Sequence, residues 1–363
     1  MRTLSFSNVG SPVAALAAVR CFAILILSIA VVVPAAAEDL ATYPSATIRI
    51  IVPYPAGGTA DALPRIIGDR LQARWNRSVI IVNRPGAGGN IGAETVAAAE
   101  PNGYTLLASP PGPLVINDAL YKELTFRPSD FEPAVVMGSV PNVMDVRPAF
   151  PAKSGHDVLN YILANPGKVT FASQGIGTTS HLAGVLFEWL SNSSMVHVPY
   201  SGSAPALQDI MGDRVDLLFD NLASSLPLYK AQKLQILAVG SLQRIAALPD
   251  VPTVAELGVP GFESGTWFAI VAPPKTPSQL LDRLNRAVNE ILSEPSVKSR
   301  FAELGVQPVG GTRAETDSFI ASERQRWGGA HPRSRYSGEL NPLLIVLMPT
   351  PFITIDAVFA RRR

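Results

Sequence analysis

The sequence predicts an α/β fold with parallel sheets, and three observations carry that expectation. Short segments rich in Val and Ile alternate with helix-like segments through residues 40–327, the order of successive β-α-β units. The strand-like segments are apolar on both faces, as strands are when helices cover each side of a sheet. The chain has 363 residues and no short repeat period, which points to two domains with buried cores and away from a solenoid.

Composition closes off other classes. Hydrophobic residues make up 47% and charged ones 16%, too apolar a mixture for a disordered chain. Lys+Arg 30 against Asp+Glu 29 gives no basic field, so nucleic acid is not an expected partner. One cysteine excludes a disulfide framework and a cysteine-rich metal site. No cofactor is expected.

In chain order, residues 1–37 read as a secretory signal peptide. Arg2 and Arg20 precede an apolar run over 21–33, and Pro34 and Ala35-Ala36-Ala37 form a small-residue cleavage site before Glu38. The run falls short of the roughly 20 apolar residues that span a bilayer. Cleavage after Ala37 removes the only cysteine and leaves 28 cations against 29 anions. A cysteine-free chain suits an oxidising compartment, and the periplasm is the expected location.

Strands are expected at 48–52, 79–82, 105–108, 135–140, 169–172, 196–198, 217–219, 236–239 and 268–271. Helices are expected at 60–73, 91–99, 155–164, 181–190 and 203–212. The clearest lies at 277–292, where Leu280, Leu281, Leu284, Ala287, Val288, Ile291 and Leu292 form one stripe. Thr276 is its expected cap, with Pro277 at the first helical position and Gln279 completing a capping box. A further helix runs to Leu304, with Gly305 as its stop.

Two strand-to-helix junctions carry the chemistry. The first reads Val52-Pro53-Tyr54-Pro55-Ala56-Gly57-Gly58-Thr59-Ala60-Asp61, and the second Phe171-Ala172-Ser173-Gln174-Gly175-Ile176-Gly177-Thr178-Thr179-Ser180-His181. Each runs a buried strand through glycines into a helix, which presents backbone N–H groups at the positive end of a helix dipole. Facing each other across a cleft, the two can hold one small anion; each taken singly reads equally well as a plain connector. A third run, Pro85-Gly86-Ala87-Gly88-Gly89-Asn90-Ile91-Gly92, fails the dinucleotide spacing because Ile91 stands where the third glycine belongs.

Individual residues carry two readings each. Asp61 either meets ligand or stabilises its own helix N-terminus, and the second is favoured. His181 either lines the second turn or bonds neighbouring backbone. Asp220-Asn221, directly after a buried strand, is either a cleft contact or a simple turn. Val198-Pro199-Tyr200-Ser201-Gly202-Ser203 leads from a strand into a helix and also points to the cleft. No G-x-S-x-G, H-E-x-x-H or P-loop occurs.

Several longer motifs stand in order through the body: Ile51-Val52-Pro53-Tyr54 with Gly57-Gly58 and Asp61, Val82-Asn83-Arg84-Pro85, Pro101-Asn102-Gly103-Tyr104, Asn165-Pro166-Gly167-Lys168, His197-Val198-Pro199-Tyr200, Leu248-Pro249-Asp250-Val251-Pro252-Thr253 and Ala272-Pro273. On these the chain, from about Tyr43 to Trp327, resembles the Bug (TctC-like) family of periplasmic solute receptors of tripartite tricarboxylate transporters. The resemblance implies a periplasmic binding protein type II-like fold: two doubly wound α/β domains, 40–142 with 264–327 and 143–263, joined by a hinge around an interdomain cleft. It implies a small carboxylate ligand and membrane permease partners. Carried over, the ligand turns are Ala56, Gly57, Gly58 and Asp61, and Gln174, Gly177, Thr178 and Ser180, with Ser109 lining the cleft. With Tyr54, His181, Tyr200, Asp220 and Asn221 these form the candidate ligand-binding set, and no catalytic or metal residue belongs to it.

Neither glycine turn contains Arg or Lys, so N–H donors and helix dipoles would have to hold the anion. The alternatives are a secreted enzyme recruiting Ser173, Ser180, His181 or Asp220, and a ligand sensor for a membrane signalling system. After Trp327 the sequence departs from the family. Gly328-Gly329 is expected to break the last helix, and 328–363 reads as an atypical, poorly ordered tail, for which a reading-frame change is the hypothesis.

Overall fold

The computed structural model describes residues 42–329. The signal-peptide segment and 330–363 lie outside the described residues. Ten strands are present: β1 Ile48–Val52, β2 Val79–Asn83, β3 Thr105–Ser109, β4 Glu132–Val146, β5 Thr170–Ser173, β6 Val196–Pro199, β7 Leu217–Asn221, β8 Gln235–Val239, β9 Gly265–Ala272 and β10 Gln307–Gly310. The α-helices are α1 Thr59–Trp75, α2 Asn90–Ala97, α3 Asn117–Leu120, α4 Gly155–Ala164, α5 Thr179–Ser191, α6 Ser203–Met211, α7 Leu222–Lys230, α8 Ser278–Ser293, α9 Pro295–Glu303 and α10 Arg313–Gly329. None of the helices among the described residues is long and apolar enough to cross a membrane.

The strands run in the order β2-β1-β3-β9-β4-β7-β5-β6, with β8 and β10 also pairing with β4. The expectation of parallel sheets is corrected. β1 pairs parallel with β2 and β3, and β5 with β6 and β7, but β4 and β9 are antiparallel to their neighbours. The reason is topological: the chain leaves the first set of strands along β4 and returns to it along β9, and departure and return oppose each other in direction.

β4 is 15 residues long and changes partners along its length. Its residues 132–141 pair with β9, and 142–146 pair with β7. Asn142 sits at the change, fully buried. Its Nδ2 donates to Asn221 Oδ1 at 3.1 Å, and its Oδ1 accepts from Ser264 Oγ at 2.7 Å. Gly240 packs there so tightly that a Cβ would lie 2.7 Å from the Ser264 carbonyl oxygen, so only glycine fits. Each strand set has its own apolar core. One gathers Leu107, Leu114, Val136, Trp267 and Phe319. The other gathers Phe150, Phe171, Phe187, Phe219 and Phe262, with Phe187–Phe219 and Phe219–Phe262 ring centroids at 5.5 and 5.9 Å.

Local chemistry explains most boundaries. Ser154 caps α4 by accepting the Asp157 N–H at 3.2 Å. The apolar stripe of α8 is buried as expected. Its capping box does not form. Pro277 is extended and occupies the cap position, so the helix begins at Ser278 and the Thr276 hydroxyl donates to the Pro273 carbonyl at 2.8 Å. Prolines hid three elements from a pattern search: Pro133 and Pro141 inside β4, Pro227 inside α7, and Pro308 in β10. The last helix, α10, runs through Gly328 and Gly329 without a break at either.

Candidate functional site

The first glycine turn joins β1 to α1. Gly57 has φ +94°, a conformation that glycine adopts without a Cβ penalty. Asp61, in the first turn of α1, is buried and fully engaged with its surroundings. Its Oδ2 accepts the Gly57 N–H at 3.1 Å and Arg65 Nε at 2.9 Å; its Oδ1 accepts Asn83 Nδ2 at 2.9 Å and Arg65 Nη2 at 2.7 Å. Burial pushes this carboxyl up, but the hydrogen bonds from Arg65, Asn83 and Gly57 outweigh it and hold the group below the usual range. The helix-stabilising reading of Asp61 is the one this geometry supports. Ala56 and Gly57 are exposed, Gly58 and Thr59 buried.

The third glycine run supports the first. The Gly88 carbonyl accepts from Tyr54 Oη and from Asn117 Nδ2, both at 3.1 Å. Burial pushes the Tyr54 phenol well above its ordinary value, so it remains a neutral donor. Ser109 is fully buried and donates to the Pro110 carbonyl at 2.9 Å.

The second glycine turn joins β5 to α5. Gly175 and Gly177 have φ +121° and +84°. Thr178 caps the helix, accepting the His181 N–H at 3.3 Å and donating to the Gly175 carbonyl at 2.6 Å. The Thr179 and Ser180 N–H groups at the start of the 13-residue α5 are buried and find no partner among the described residues. Ser180 Oγ donates to the Phe219 carbonyl and accepts the Gln174 N–H at 3.3 Å.

The histidines are neutral. His181 stacks on His197 at 4.3 Å, and His197 on Phe171 at 4.7 Å. Burial lowers His181 to about 3, helped by His197, and lowers His197 to about 4. His181 Nδ1 accepts the Gly177 N–H at 3.4 Å. His197 Nε2 lies 2.7 Å from Ser173 Oγ. That serine is fully buried and its Oγ also accepts the Gly175 N–H at 3.1 Å, so the pair braces the turn.

Asp220 ends β7 beneath this turn, fully buried. Its Oδ1 accepts Gln174 Nε2 at 2.5 Å and Ser203 Oγ at 2.8 Å. Burial raises it to about 6, against the pull of these donors. Asn221 is held by Asn142. Tyr200 faces its own helix: its hydroxyl donates to Asp209 Oδ2 at 2.7 Å, and burial and that carboxylate raise its phenol to about 12.

The structure brings the two turns together through side chains that sequence patterns did not single out. A Cβ on Gly58 would lie 3.2 Å from Ser203 Cβ, and one on Gly57 would lie 3.6 Å from Ala204 Cβ. Ser203 bonds Asp220, which bonds Gln174 of the second turn. Thr59 meets Ser224 of α7, N to Oγ at 2.9 Å and Oγ1 to Oγ at 2.7 Å. Asn117 is fully buried, and its Oδ1 would lie 2.6 Å from a Cβ on Gly177. Ser203, Ser224 and Asn117 lie far in sequence from what they meet and belong to no motif, so no local signal could have found them. Tyr200 is the one candidate whose polar atom is committed away from the turns. A cavity of about 420 Å³ lies elsewhere, over the crossing strands by Val140, Pro141, Ile245 and Trp267; none of the candidate residues lines it.

Known proteins share this architecture. The family model described as tripartite tricarboxylate transporter family receptor, TctC, matches residues 63–331. The BugT protein of Bordetella pertussis is 36% identical over 312 residues, 85% of this chain and 96% of that protein. A Rhodopseudomonas palustris protein solved with adipate superposes with TM-score 0.77 at 35% identity, covering 79% of this chain and 96% of that one. MatC from Rhodopseudomonas palustris with bound malate superposes with TM-score 0.75 at 29% identity, covering 79% and 99%. The fold is therefore the two-domain type II-like α/β fold of periplasmic solute-binding proteins. With family model, sequence and structure in agreement, this chain belongs to the TctC (Bug) family of solute receptors.

Proposed function

We propose that the protein is a periplasmic receptor that captures a small carboxylate between its two glycine turns and delivers it to the permease subunits of a tripartite tricarboxylate-type transporter. The observation that carries this reading is the pair of N–H groups at Thr179 and Ser180, buried and unpartnered among the described residues, opposite the start of α1. Helix N-termini favour anions, and buried donors need an acceptor. The nearby charges are spent or absent. Arg65 is paired with Asp61, and His181 and His197 are neutral. An anion here is recognised by backbone donors, the Thr178 and Ser180 region of one turn and Ala56, Gly57 and Gly58 of the other. Relatives solved with adipate and with malate support a carboxylate as the ligand class.

In this reading one domain comprises 40–142 and 264–327 and the other 143–263, and the crossings near Asn142 and Ser264 form the hinge. Two separate apolar cores support that division. Ligand bridging both turns stabilises the closed arrangement because only there does it touch both domains. The receptor role follows from the family, and the chain's residues act by binding and orienting, with no bond made or broken.

The test is a thermal-shift screen of the mature protein against small carboxylates and their matched amides. At about 100 times its dissociation constant a ligand adds roughly 2.7 kcal/mol, a rise of about 5 °C or more for a body of this size. One acid shifting the transition, with its amide inert, is the expected result. A protein that melts cooperatively and responds to no acid would sink the reading.

A further inference from the structure

Two buried carboxyl groups lie behind the second turn, and one of them belongs to no motif. Asp145 of β4 and Asp220 of β7 are on adjacent antiparallel strands, where Val143 pairs with Asp220 and Asp145 with Leu218. Alternation along a strand puts Asp145 and Asp220 on the same face. Both are fully buried. Helix α7 covers that face and inserts Ser225 between them. Ser225 Oγ lies 2.5 Å from Asp145 Oδ2 and 3.4 Å from Asp220 Oδ2. Asp145 Oδ1 has no partner among the described residues.

The hydrogen count decides the charge. Ser225 has one proton and two carboxyl neighbours. If both were ionised, only one could receive it, and two buried negative charges would face each other with no cation to offset them. The groups that meet the pair from the packed elements are Ser225 of α7, Ser203 of α6, Gln174 after β5 and the Asn221 N–H of β7. The only charge acting on Asp145 is Asp220. Donors are unequally shared: Asp220 receives Gln174, Ser203 and Ser225, and Asp145 has only Ser225. The arrangement that satisfies every proton has Asp145 protonated on Oδ2 and donating to Ser225 Oγ, with the Ser225 proton directed to Asp220. Burial and the Asp220 charge both push Asp145 well above the usual carboxyl range, in agreement.

We propose that Asp145 is a positioning residue for ligand capture: it stays a neutral acid, passes a hydrogen bond through Ser225 to Asp220, and so fixes Gln174 and Ser203 beneath the two glycine turns. The inference rests on the receptor reading above and adds to it a residue and a proton. Losing that proton would place a second negative charge below a site that takes an anion. It would also turn the Ser225 proton away from Asp220. Carboxylate affinity is therefore expected to fall as pH rises through the titration of the pair, and binding is expected to be accompanied by proton uptake.

The experiment compares the full-length mature wild type with Asp145→Ala, Asp145→Asn and Ser225→Ala. The probe is whichever acid of the thermal-shift panel binds, starting from adipate and malate. Asp145→Ala and Ser225→Ala are expected to weaken the probe at least tenfold. Asp145→Asn, which keeps a donor toward Ser225, is expected to recover most of that affinity and to abolish the pH dependence. Infrared difference spectra are expected to show one protonated-carboxyl carbonyl band in the wild type that Asp145→Asn removes. The thermal transition of Asp145→Asn should match wild type near pH 4 and exceed it at pH 8, because a raised acid pKa costs stability as pH climbs above the unfolded value. Wild-type affinity in Asp145→Ala and Ser225→Ala overturns the positioning role and leaves the receptor reading standing. Absence of the infrared band, or an Asp145→Asn variant less stable than wild type at every pH above 4, overturns the neutral acid. If no acid binds the wild type, the receptor reading fails and takes the positioning role with it, while the infrared and stability measurements still decide the proton.

Discussion

The two glycine turns are built to one plan and held by opposite means. The turn before α1 is braced by charge. Asp61 gathers Gly57, Asn83 and both faces of the Arg65 guanidinium at the protein surface, where Arg65 is about half exposed. The turn before α5 is braced by neutral groups in the interior: Thr178 and Ser180 hydroxyls, the stacked rings of His181 and His197, and the Gln174 amide on Asp220. The difference teaches how an anion site can do without a free cation. The one arginine beside it is neutralised by its own carboxylate, and the imidazoles beside it are kept uncharged by burial. What remains for the ligand is backbone N–H, which reads a carboxylate without saying much about the rest of the molecule.

The largest way to break the comparison is steric. Gly177→Val places a branched side chain at φ +84°, with its Cβ 2.6 Å from Asn117 Oδ1. Left-handed backbone strain and the clash together are expected to cost about 2–4 kcal/mol against the closed arrangement. Gly57→Ala, at φ +94° with Ala204 Cβ at an ordinary 3.6 Å, should cost only the backbone share, about 1–2 kcal/mol. Thermal denaturation with and without a carboxylate measures both. Equal losses would mean that the two turns are equally crowded, against this structure.

The second way is by acid. His181 and His197 titrate near 3 and 4 in the folded chain and near 6.5 when unfolded. Between pH 6.5 and 4 the unfolded chain binds more protons, so stability falls as pH falls. Replacing His197 with Phe keeps the ring stack and removes one titrating group; the melting temperature of that variant should decline less steeply from pH 6.5 to 4. A slope unchanged from wild type would place the acid sensitivity elsewhere.

The smallest effect sharpens the first turn. Asp61→Asn removes a carboxylate held low by Arg65, Asn83 and Gly57. Because Arg65 is half exposed, the loss at neutral pH should be modest, about 1–2 kcal/mol. It should vanish in acid: a depressed carboxylate contributes above its unfolded pKa near 4, and that contribution is lost as pH falls through the lower folded value. Melting curves of the two proteins from pH 7 to pH 2.5 should converge. A gap that persists to pH 2.5 would assign Asp61 a role other than its charge.

Much of this was legible in the residues, and the illegible part has a common cause. β1, β5 and α4 lie where alternation and caps placed them, because Ile48 to Val52, Phe171-Ala172 and Ser154 with Asp157 act on near neighbours. β4 was read at less than half its length, because Pro133 and Pro141 look like strand ends and only the pairing with β9 and β7 holds the strand through them. Asn117, Ser224 and Asp145 carry no pattern at all. Each meets a partner by folding: Thr59 and Ser224 are 165 positions apart, Asp145 and Ser225 are 80 apart.

By itself the sequence determined the α/β class, the two glycine turns that open helices, and the family to which the chain belongs. These depend on hydrophobic periodicity, capping and the freedom of glycine, all of which act within a few residues. Only the tertiary structure decided the antiparallel return of β9, the commitment of Asp61 and Tyr200 to their own helices, and the buried carboxyl pair behind Gln174. Those depend on which groups are excluded from water together, and a one-dimensional pattern carries no record of which distant side chains share a desolvated site.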